Sequence, residues 1–392
     1  MRHFLFALLL IGMVGCATDD KADAPPELSE LIEQLQQAHA PDSRVALFDV
    51  AATAENGNWQ ITGETNLPNA KSELEAGAEA LGYTAEVRLL PGEALEGQHY
   101  GIVNLSVCNI RSEPGHSSEL STQATLGTLI NVLKKEEGWY LVQTPDGYLG
   151  WLNPGGFERV DKAGADAWAK SGRVIYLPDF GFAYASPREQ AVVSDLVAGN
   201  ILRKLGREGG FIKVQFPDGR EAYVMADEVM DYKAWLDSRS PTAENILRTA
   251  KRFTGRPYLW GGTSGKGVDC SGFTKTVFYL NGLMLPRDAS QQVHTGIEVE
   301  TDTTFSNLLP GDLLFFGRKA SADQSEKITH VAIYQGDQSI IHSSGRVREE
   351  SLRRGDSTFT EYRLKTFVRA KRLLLEQPME HGVLPLAEVP GY

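Results

Sequence analysis

The sequence contains a cysteine in a setting that suits nucleophilic attack on an amide bond. Cys270 stands in Val268-Asp269-Cys270-Ser271-Gly272, and the apolar run 273–280 that follows predicts a helix beginning near Ser271. A thiol attacks a carbonyl well only as the thiolate, and a free cysteine has a pKa of about 8.5. The backbone N–H groups and positive dipole end of a helix amino terminus favour that thiolate. The same N–H groups can bind the oxyanion of a tetrahedral intermediate.

His330 is the candidate general base, and it opens a strand predicted for residues 330–334. His342 ends the next predicted strand, over residues 339–342. If these strands are antiparallel neighbours, His342 can orient the ring of His330, as a third residue does in other catalytic triads. An isolated histidine is more often a satisfied residue at a strand edge, but the motifs around Cys270 favour catalysis. For His342 a structural role remains an alternative.

These residues belong to a mixed α/β domain predicted for residues 240–374. Thr242 is predicted to cap a helix over residues 243–253, with Glu244 in its first turn to favour the helix dipole. Further strands are predicted at residues 313–316 and 367–371. The tail, residues 375–392, carries several prolines and is expected to be loosely held.

An internal repeat precedes this domain. Residues 138–148 are echoed by residues 210–219, and each copy alternates apolar and polar residues before turning at Pro-Asp-Gly, a strong hairpin signal. Short, evenly spaced strands of this kind predict two small β-barrels, at residues 104–160 and 172–233. Residues 45–103 are predicted to form a small α/β unit with no diagnosable chemistry.

The amino terminus has the pattern of an export signal. A charged start precedes the apolar run 4–13, which ends in Val14-Gly15-Cys16 and is too short to span a bilayer permanently. This ending resembles a bacterial lipobox, which implies a signal peptide over residues 1–16 and a lipid on Cys16. Residues 17–44 would then be a tether. We expect an exported, membrane-anchored lipoprotein facing the periplasm or the cell exterior.

Composition sets further limits on domains and partners. The 392 residues suggest two to four domains, and the net charge of -12 argues against nucleic acid as a partner. Cys108 lies in an alternating segment, so we expect it to be a buried strand residue and Cys270 to be a free thiol. No His/Cys/Asp cluster has the spacing of metal ligands, so neither a metal nor a cofactor is expected. We expect a monomer.

Residues 240–372 resemble the NlpC-type family of cell-wall cysteine peptidases, which has a papain-like fold. The resemblance rests on an ordered set of motifs: Tyr258-x-Trp260-Gly261-Gly262, Asp269-Cys270-Ser271-Gly272-Phe273, Leu285-Pro286-Arg287 with Ser290-Gln291, Pro310-Gly311-Asp312-Leu313 and Thr329-His330-Val331-Ala332-Ile333-Tyr334. It implies a triad of Cys270, His330 and His342, with Tyr258 lining the cleft. It also implies hydrolysis of D-γ-glutamyl bonds to a diamino acid.

The first predicted barrel resembles a bacterial SH3-like domain through residues 109–114 and 147–151, and the second is more diverged. Two such barrels ahead of the catalytic domain resemble the dipeptidyl-peptidase VI branch, which trims released wall peptides that carry a free N-terminal L-Ala. The resemblance implies that the amine is bound by four residues, Glu113, Tyr148, Asp269 and Ser271. A site built for an ammonium group rejects acylated termini, because its own acids would then be buried unpaired.

An exposed loop acid and a barrel-surface aromatic are the alternatives for Glu113 and Tyr148. For the whole chain, two other functions stay open: an endopeptidase on intact peptidoglycan, or an inert lipoprotein whose barrels dock to the wall. The presence of both Cys270 and His330 argues against inertness. The predicted fold is α+β multidomain, with a papain-like catalytic domain preceded by two SH3-like barrels and a small N-terminal unit.

Overall fold

The computed structural model describes residues 24–188 and 191–391. The predicted signal peptide with Cys16, and residues 17–23 of the predicted tether, lie outside the described residues. Within the described part, no helix is both long enough and apolar enough to cross a membrane.

The N-terminal unit packs helices against a small sheet. Its elements are α1 (Pro26–His39), β1 (Phe48–Glu55), β2 (Asn58–Thr65), α2 (Pro68–Ala80) and β3 (Thr84–Leu89). Strand β2 pairs antiparallel with β1 and parallel with β3. The tether predicted for residues 17–44 is wrong over α1, because its apolar residues recur at helical spacing and Leu28 and Leu35 are buried in the core of this unit.

The first barrel follows directly. Its strands are β4 (Tyr100–Val103), β5 (Val107–Arg111), β6 (Leu120–Thr125), β7 (Leu129–Glu136), β8 (Trp139–Gln143), β9 (Leu149–Leu152) and β10 (Phe157–Val160), in the order β10-β4-β7-β8-β9-β5-β6. The barrel begins before the predicted boundary at residue 104, because β4 pairs with both β7 and β10. Cys108 is buried in this barrel, which confirms the expectation for it.

A helix, α3 (Lys162–Lys170), leads to the second barrel. Its strands are β11 (Arg173–Tyr176), β12 (Phe180–Tyr184), β13 (Val192–Val197), β14 (Ile201–Glu208), β15 (Phe211–Gln215), β16 (Glu221–Met225) and β17 (Val229–Asp231). Their order, read from β17 to β13, is β17-β11-β14-β15-β16-β12-β13. This is the order of the first barrel with every strand replaced by its repeat equivalent, so the sequence repeat is a repeat of topology.

The C-terminal domain begins after a short helix, α4 (Tyr232–Asp237). Its elements are α5 (Ala243–Arg252), β18 (Thr263–Ser264), β19 (Gly267–Val268), α6 (Cys270–Tyr279), β20 (Leu283–Met284), α7 (Ala289–Gln292), β21 (Ile297–Val299), β22 (Leu313–Arg318), β23 (Lys327–Gly336), β24 (Ser339–Ser344), β25 (Arg346–Ser351), α8 (Glu361–Thr366), β26 (Phe367–Arg372) and β27 (Leu384–Pro385). The main sheet has the order β21-β26-β22-β23-β24-β25, and its neighbouring strands are antiparallel.

Helix α6 packs against the centre of this sheet. Phe273 and Val277 of the helix share one core with Val331 and Ile333 of β23 and with Ile341 of β24. This packing holds the amino end of α6 beside the strands that carry both predicted catalytic histidines. The predicted α+β multidomain fold is thus confirmed.

The C-terminal tail is tightly packed, so the expectation that it is loosely held is wrong. Strand β27 pairs with β20, and Leu386 and Val389 are buried. These two residues share a core with Ile102 of the first barrel and Ile175 of the second. Burial of its apolar residues outweighs the tail's prolines, and the tail joins the catalytic domain to both barrels.

We expect Leu386→Ala to lower the free energy of unfolding by about 2–5 kcal/mol, because it leaves a cavity in a core shared by several domains. Leu384→Ala is the matched control, since Leu384 is 39% exposed. Differential scanning calorimetry should show a clearly lower Tm for Leu386→Ala and little change for Leu384→Ala. Equal shifts for the two variants would contradict a packed tail.

Candidate active site

The start of helix α6 is fixed by the carboxylate of Asp269. This carboxylate accepts hydrogen bonds from the Gly272 N–H at 2.7 Å and the Gly261 N–H at 3.0 Å. It also accepts two bonds from Arg287, at 2.5 and 3.2 Å, and the Arg287 side chain is fully buried. Asp269 is therefore a helix cap and half of a buried ion pair, which holds the next residue, Cys270, in place.

Cys270 occupies the first position of α6 and is 8% exposed. The backbone N–H groups of Ser271 and Val331 point at its sulfur and favour the thiolate. Burial outweighs them and raises the pKa of the thiol to about 11, and the charge of Asp269 acts in the same direction. The helix end alone therefore does not ionise the thiol, and deprotonation needs a base at the sulfur, the role predicted for His330.

His330 and His342 form a hydrogen-bonded pair on neighbouring strands. The Nε2 atom of His330 lies 2.7 Å from Nδ1 of His342, and both rings are buried. Val331, the residue after His330, presents its N–H to the sulfur of Cys270, so the backbone at His330 lies next to the nucleophile. Nδ1 is the ring nitrogen of His330 that the contact with His342 leaves free. The structure thus joins the two predicted histidines by a hydrogen bond and packs the strand that carries His330 against the helix that begins at Cys270.

Burial disfavours the charged form of both reacting groups, the imidazolium of His330 and the thiolate of Cys270. Burial lowers the pKa of His330 well below its ordinary value of 6.5, and the nearby charge of Arg363 adds to this. Burial likewise raises the pKa of Cys270, so the pair keeps a single proton across a wide pH range. Moving that proton from sulfur to imidazole creates adjacent opposite charges, and it supplies the nucleophile at the moment of attack.

A cavity of about 570 Å³ opens at Cys270. Its lining comes from the catalytic domain, the first barrel and the segment before β1: Arg44, Glu119, Leu120, Ser121, Tyr148, Tyr258, Trp260, Gly261, Asp269, Cys270, Ser271, Arg287, Asp288, Ala289, Ser290, Lys327, Ile328 and Thr329. Of the residues predicted for substrate contact, Tyr148, Tyr258, Asp269 and Ser271 lie here. A cavity of this size suits a small ligand and is closed on one side by the barrel.

Glu113, which is predicted to bind the amine, is not among the residues that line this cavity. It is exposed in the loop between β5 and β6, where the Ser112 N–H donates to the Glu119 carbonyl and leaves Glu113 in the solvent-facing part of the loop. Glu119, at the other end of the same loop, faces the cavity and accepts a 2.5 Å hydrogen bond from the indole of Trp260. Two acids on one short loop are not distinguishable by sequence pattern.

Asp288 joins three parts of the chain at one end of the cavity. Its Oδ2 atom accepts hydrogen bonds from the Tyr148 hydroxyl at 3.0 Å and from Arg44 at 2.7 Å. Arg44 also pairs with Asp42, which in turn accepts a bond from Gln291. Sequence reasoning placed residues 42 and 44 in a tether, and their partners lie more than 240 residues away, so no local signal reveals this contact.

A buried ion pair fixes the turn that precedes Tyr148. Lys275 of α6 pairs with Asp146 in the Pro-Asp-Gly turn of the first barrel, and both side chains are largely buried. The Thr144 hydroxyl donates to the same carboxylate at 2.7 Å. Because Lys275 follows Cys270 on the same helix, this contact sets the position of Tyr148 relative to the nucleophile.

Residues 255–369 match the NlpC/P60 family, and residues 106–157 match the bacterial SH3 domain. The gamma-D-glutamyl-L-lysine dipeptidyl-peptidase of Bacillus cereus is 32% identical over 237 residues, which are 58% of this chain and 68% of that protein. The protein of the same name from Bacillus subtilis is 31% identical over 232 residues, or 57% of this chain and 72% of that protein.

A solved structure gives the same result. An NlpC/P60 family protein from Bacillus cereus aligns with a TM-score of 0.61 at 25% identity, covering 70% of this chain and 100% of that chain. Both matched ranges, 106–157 and 255–369, contribute to the cavity at Cys270. The segment that carries Arg44 lies outside both ranges.

We expect the acid limb of kcat/KM to lie below pH 6.5. The active pair holds one proton, and activity is lost when His330 takes a second; because its pKa is lowered, this requires more acid than for an ordinary histidine. The measurement is kcat/KM for a peptidoglycan peptide between pH 4 and 9, with Tm followed over the same range as the control for folding. An acid limb centred at or above pH 6.5 would contradict the burial argument.

Proposed function

This chain belongs to the NlpC/P60 family of cysteine peptidases, and from that membership we propose that it hydrolyses the γ-D-glutamyl–diamino acid bond of cell-wall peptides with a free N-terminal L-Ala. Two relatives, from Bacillus cereus and Bacillus subtilis, are named gamma-D-glutamyl-L-lysine dipeptidyl-peptidase, which supports this bond type. The observation that carries the proposal is the shared cavity, in which Glu119 and Tyr148 of the first barrel lie opposite Cys270 of the catalytic domain. A substrate must fit between the two.

The chemistry assigned to the triad is acyl transfer through a thioester. The Cys270 thiol gives its proton to Nδ1 of His330 while the sulfur attacks the γ-carbonyl carbon. The C–N bond then breaks, and His330 returns the proton to the leaving amine of the diamino acid. Water, deprotonated by His330, attacks the thioester; the C–S bond breaks, L-Ala-D-Glu is released, and His330 returns the proton to the Cys270 sulfur. The N–H groups of Cys270 and Ser271, at the first positions of α6, have no carbonyl of a preceding turn to bind and are suited to the oxyanion.

The charges of the cavity favour an ammonium group at its barrel end. Asp269 and Asp288 are already engaged by Arg287 and Arg44. Glu119 is different: in the described part of the chain no lysine or arginine forms an ion pair with it. Its remaining acceptor capacity, together with the lone pair of the Tyr148 hydroxyl, can meet a free amine and recover its desolvation cost.

We further assign this chain to the outside of a membrane, as an exported lipoprotein held by a lipid on Cys16. The support is the signal-like pattern of residues 1–16. In cells fed labelled palmitate, the protein should take up label, and Cys16→Ser should not. Cys108→Ser is the matched control, because Cys108 is buried in the first barrel. Equal labelling of wild type and Cys16→Ser would contradict the anchor.

Hydrolysis of L-Ala-γ-D-Glu-L-Lys should fall by about 10⁴-fold or more in Cys270→Ala, since the nucleophile is removed while the fold stays intact. N-terminal acetylation of the peptide should abolish cleavage by the wild type. Mass spectrometry of the products measures both effects, with Cys108→Ala as the thiol control. Unchanged cleavage in Cys270→Ala would favour an inert lipoprotein, and release of peptides from purified sacculi would favour an endopeptidase on intact wall.

Glu119→Gln should raise KM for the free-amine peptide by about 10-fold to 100-fold, because a charge-assisted hydrogen bond of about 1.5–3 kcal/mol is lost. The acetylated peptide should become a relatively better substrate. Glu113→Gln is the matched control on the same loop and should behave as the wild type. If Glu113→Gln has the larger effect, the amine site does not lie where this cavity places it.

A further inference from the structure

The catalytic histidines continue into a carboxylate that the sequence analysis did not single out. Nε2 of His342 lies 3.1 Å from Oε2 of Glu350. Strand β25 pairs with β24 so that Arg348 stands opposite His342. Glu350 is two residues further along, on the same face of the sheet, and is the diagonal neighbour of His342. A chain of polar contacts therefore runs from His330 through His342 to Glu350.

The two atoms at the end of this chain are the buried Nε2 of His342 and the buried Oε2 of Glu350. Among the described residues, neither of these atoms makes a hydrogen bond. A cation also approaches the same carboxylate oxygen, since Nε of Arg363 lies 3.9 Å away. A buried polar atom left unpaired costs about 1–3 kcal/mol. That cost is avoided when the His342 N–H faces the carboxylate across the 3.1 Å gap, with His342 protonated on Nε2.

This protonation state determines the neighbouring ring. With its proton on Nε2, His342 offers Nδ1 as an acceptor, and the 2.7 Å contact then takes the N–H of Nε2 in His330. His330 is left with an unprotonated Nδ1 toward Cys270. We propose that Glu350 is a positioning residue that selects these tautomers and so keeps His330 ready as the base. The proposal rests on the proposed function, in which His330 accepts the proton of Cys270.

Two arginines near the catalytic histidines oppose protonation of His330, and the Glu350 carboxylate is the nearby negative charge that counters them. Arg348 on β25 and Arg363 on α8 both disfavour a positive charge on His330. Arg348 donates two hydrogen bonds to Oε1 of Glu350, at 2.6 and 2.9 Å, which fix the carboxylate in place. Glu350 is the negative charge beside His342 that offsets these two arginines. Without it, the imidazolium formed on His330 during attack loses its compensation.

The test compares Glu350→Gln with Glu349→Gln. Glu349 is the exposed neighbour on the opposite face of β25, so it is a matched control for loss of one acid. Glu350→Gln should lower kcat by about 10-fold to 100-fold, the size of effect typical for residues that orient a catalytic or metal-binding histidine, with KM nearly unchanged. Glu349→Gln should leave both constants unchanged, and Glu350→Asp, which keeps the carboxylate, should recover part of kcat.

The pH profile separates orientation from a general loss of structure. Removing the carboxylate takes away the negative charge that lies beside His342 and leaves Arg348 and Arg363 unopposed there, so the acid limb of kcat/KM should move to lower pH in Glu350→Gln. An unchanged kcat, or a fall in kcat with an unmoved acid limb, would overturn the proposal. The proposed function itself would be contradicted if Cys270→Ala still cleaved the peptide. The role of Glu350 alone would be contradicted if Cys270→Ala were inactive and Glu350→Gln were as active as the wild type.

Discussion

The buried ion pair between Asp269 and Arg287 is the contact on which the site depends. Loss of either partner would lower the stability of the fold by about 3–5 kcal/mol, because the other charge would stay buried and unpaired. The pair therefore favours one arrangement of the chain at the start of α6. The Asp269 carboxylate also caps the helix and binds the Gly261 N–H, so it ties the helix end to the turn that contains Gly261. The ion pair thereby fixes Cys270 between the amino end of α6 and β23.

The position of the nucleophile sets the demands on its surroundings. Burial protects Cys270 from water but also opposes its ionisation. The equally buried imidazole of His330 is therefore needed to accept the proton of the thiol. The first barrel adds selection to this chemistry, since Lys275 ties the barrel turn to the helix that begins at Cys270. The N-terminal unit contributes as well: Arg44, in the segment before β1, donates a hydrogen bond to Asp288 and completes the wall of the cavity there.

Sequence reasoning found what is encoded locally. Cys270, His330 and His342 stand in motifs with their helix and strands, and the barrel repeat is visible in its Pro-Asp-Gly turns. Helix α1 was missed because Pro25 and Pro26 suggested a tether, although proline is favourable in the first turn of a helix. Glu119 and Arg44 depend on loop shape and on contacts between distant segments. Glu350 could have been predicted, because alternation of side chains along the strand that follows the turn at Gly345 puts it on the same face of the sheet as His342.

Acid-quenched turnover examined by mass spectrometry addresses the central claim most directly, because it looks for the covalent bond itself. During hydrolysis of L-Ala-γ-D-Glu-L-Lys, the proteolytic fragment that contains Cys270 should carry the mass of the L-Ala-D-Glu acyl group. Slowing deacylation should increase its amount. Product release with no adduct on that fragment, or an adduct on another residue, would contradict a buried thiol and imidazole acting as one nucleophilic pair.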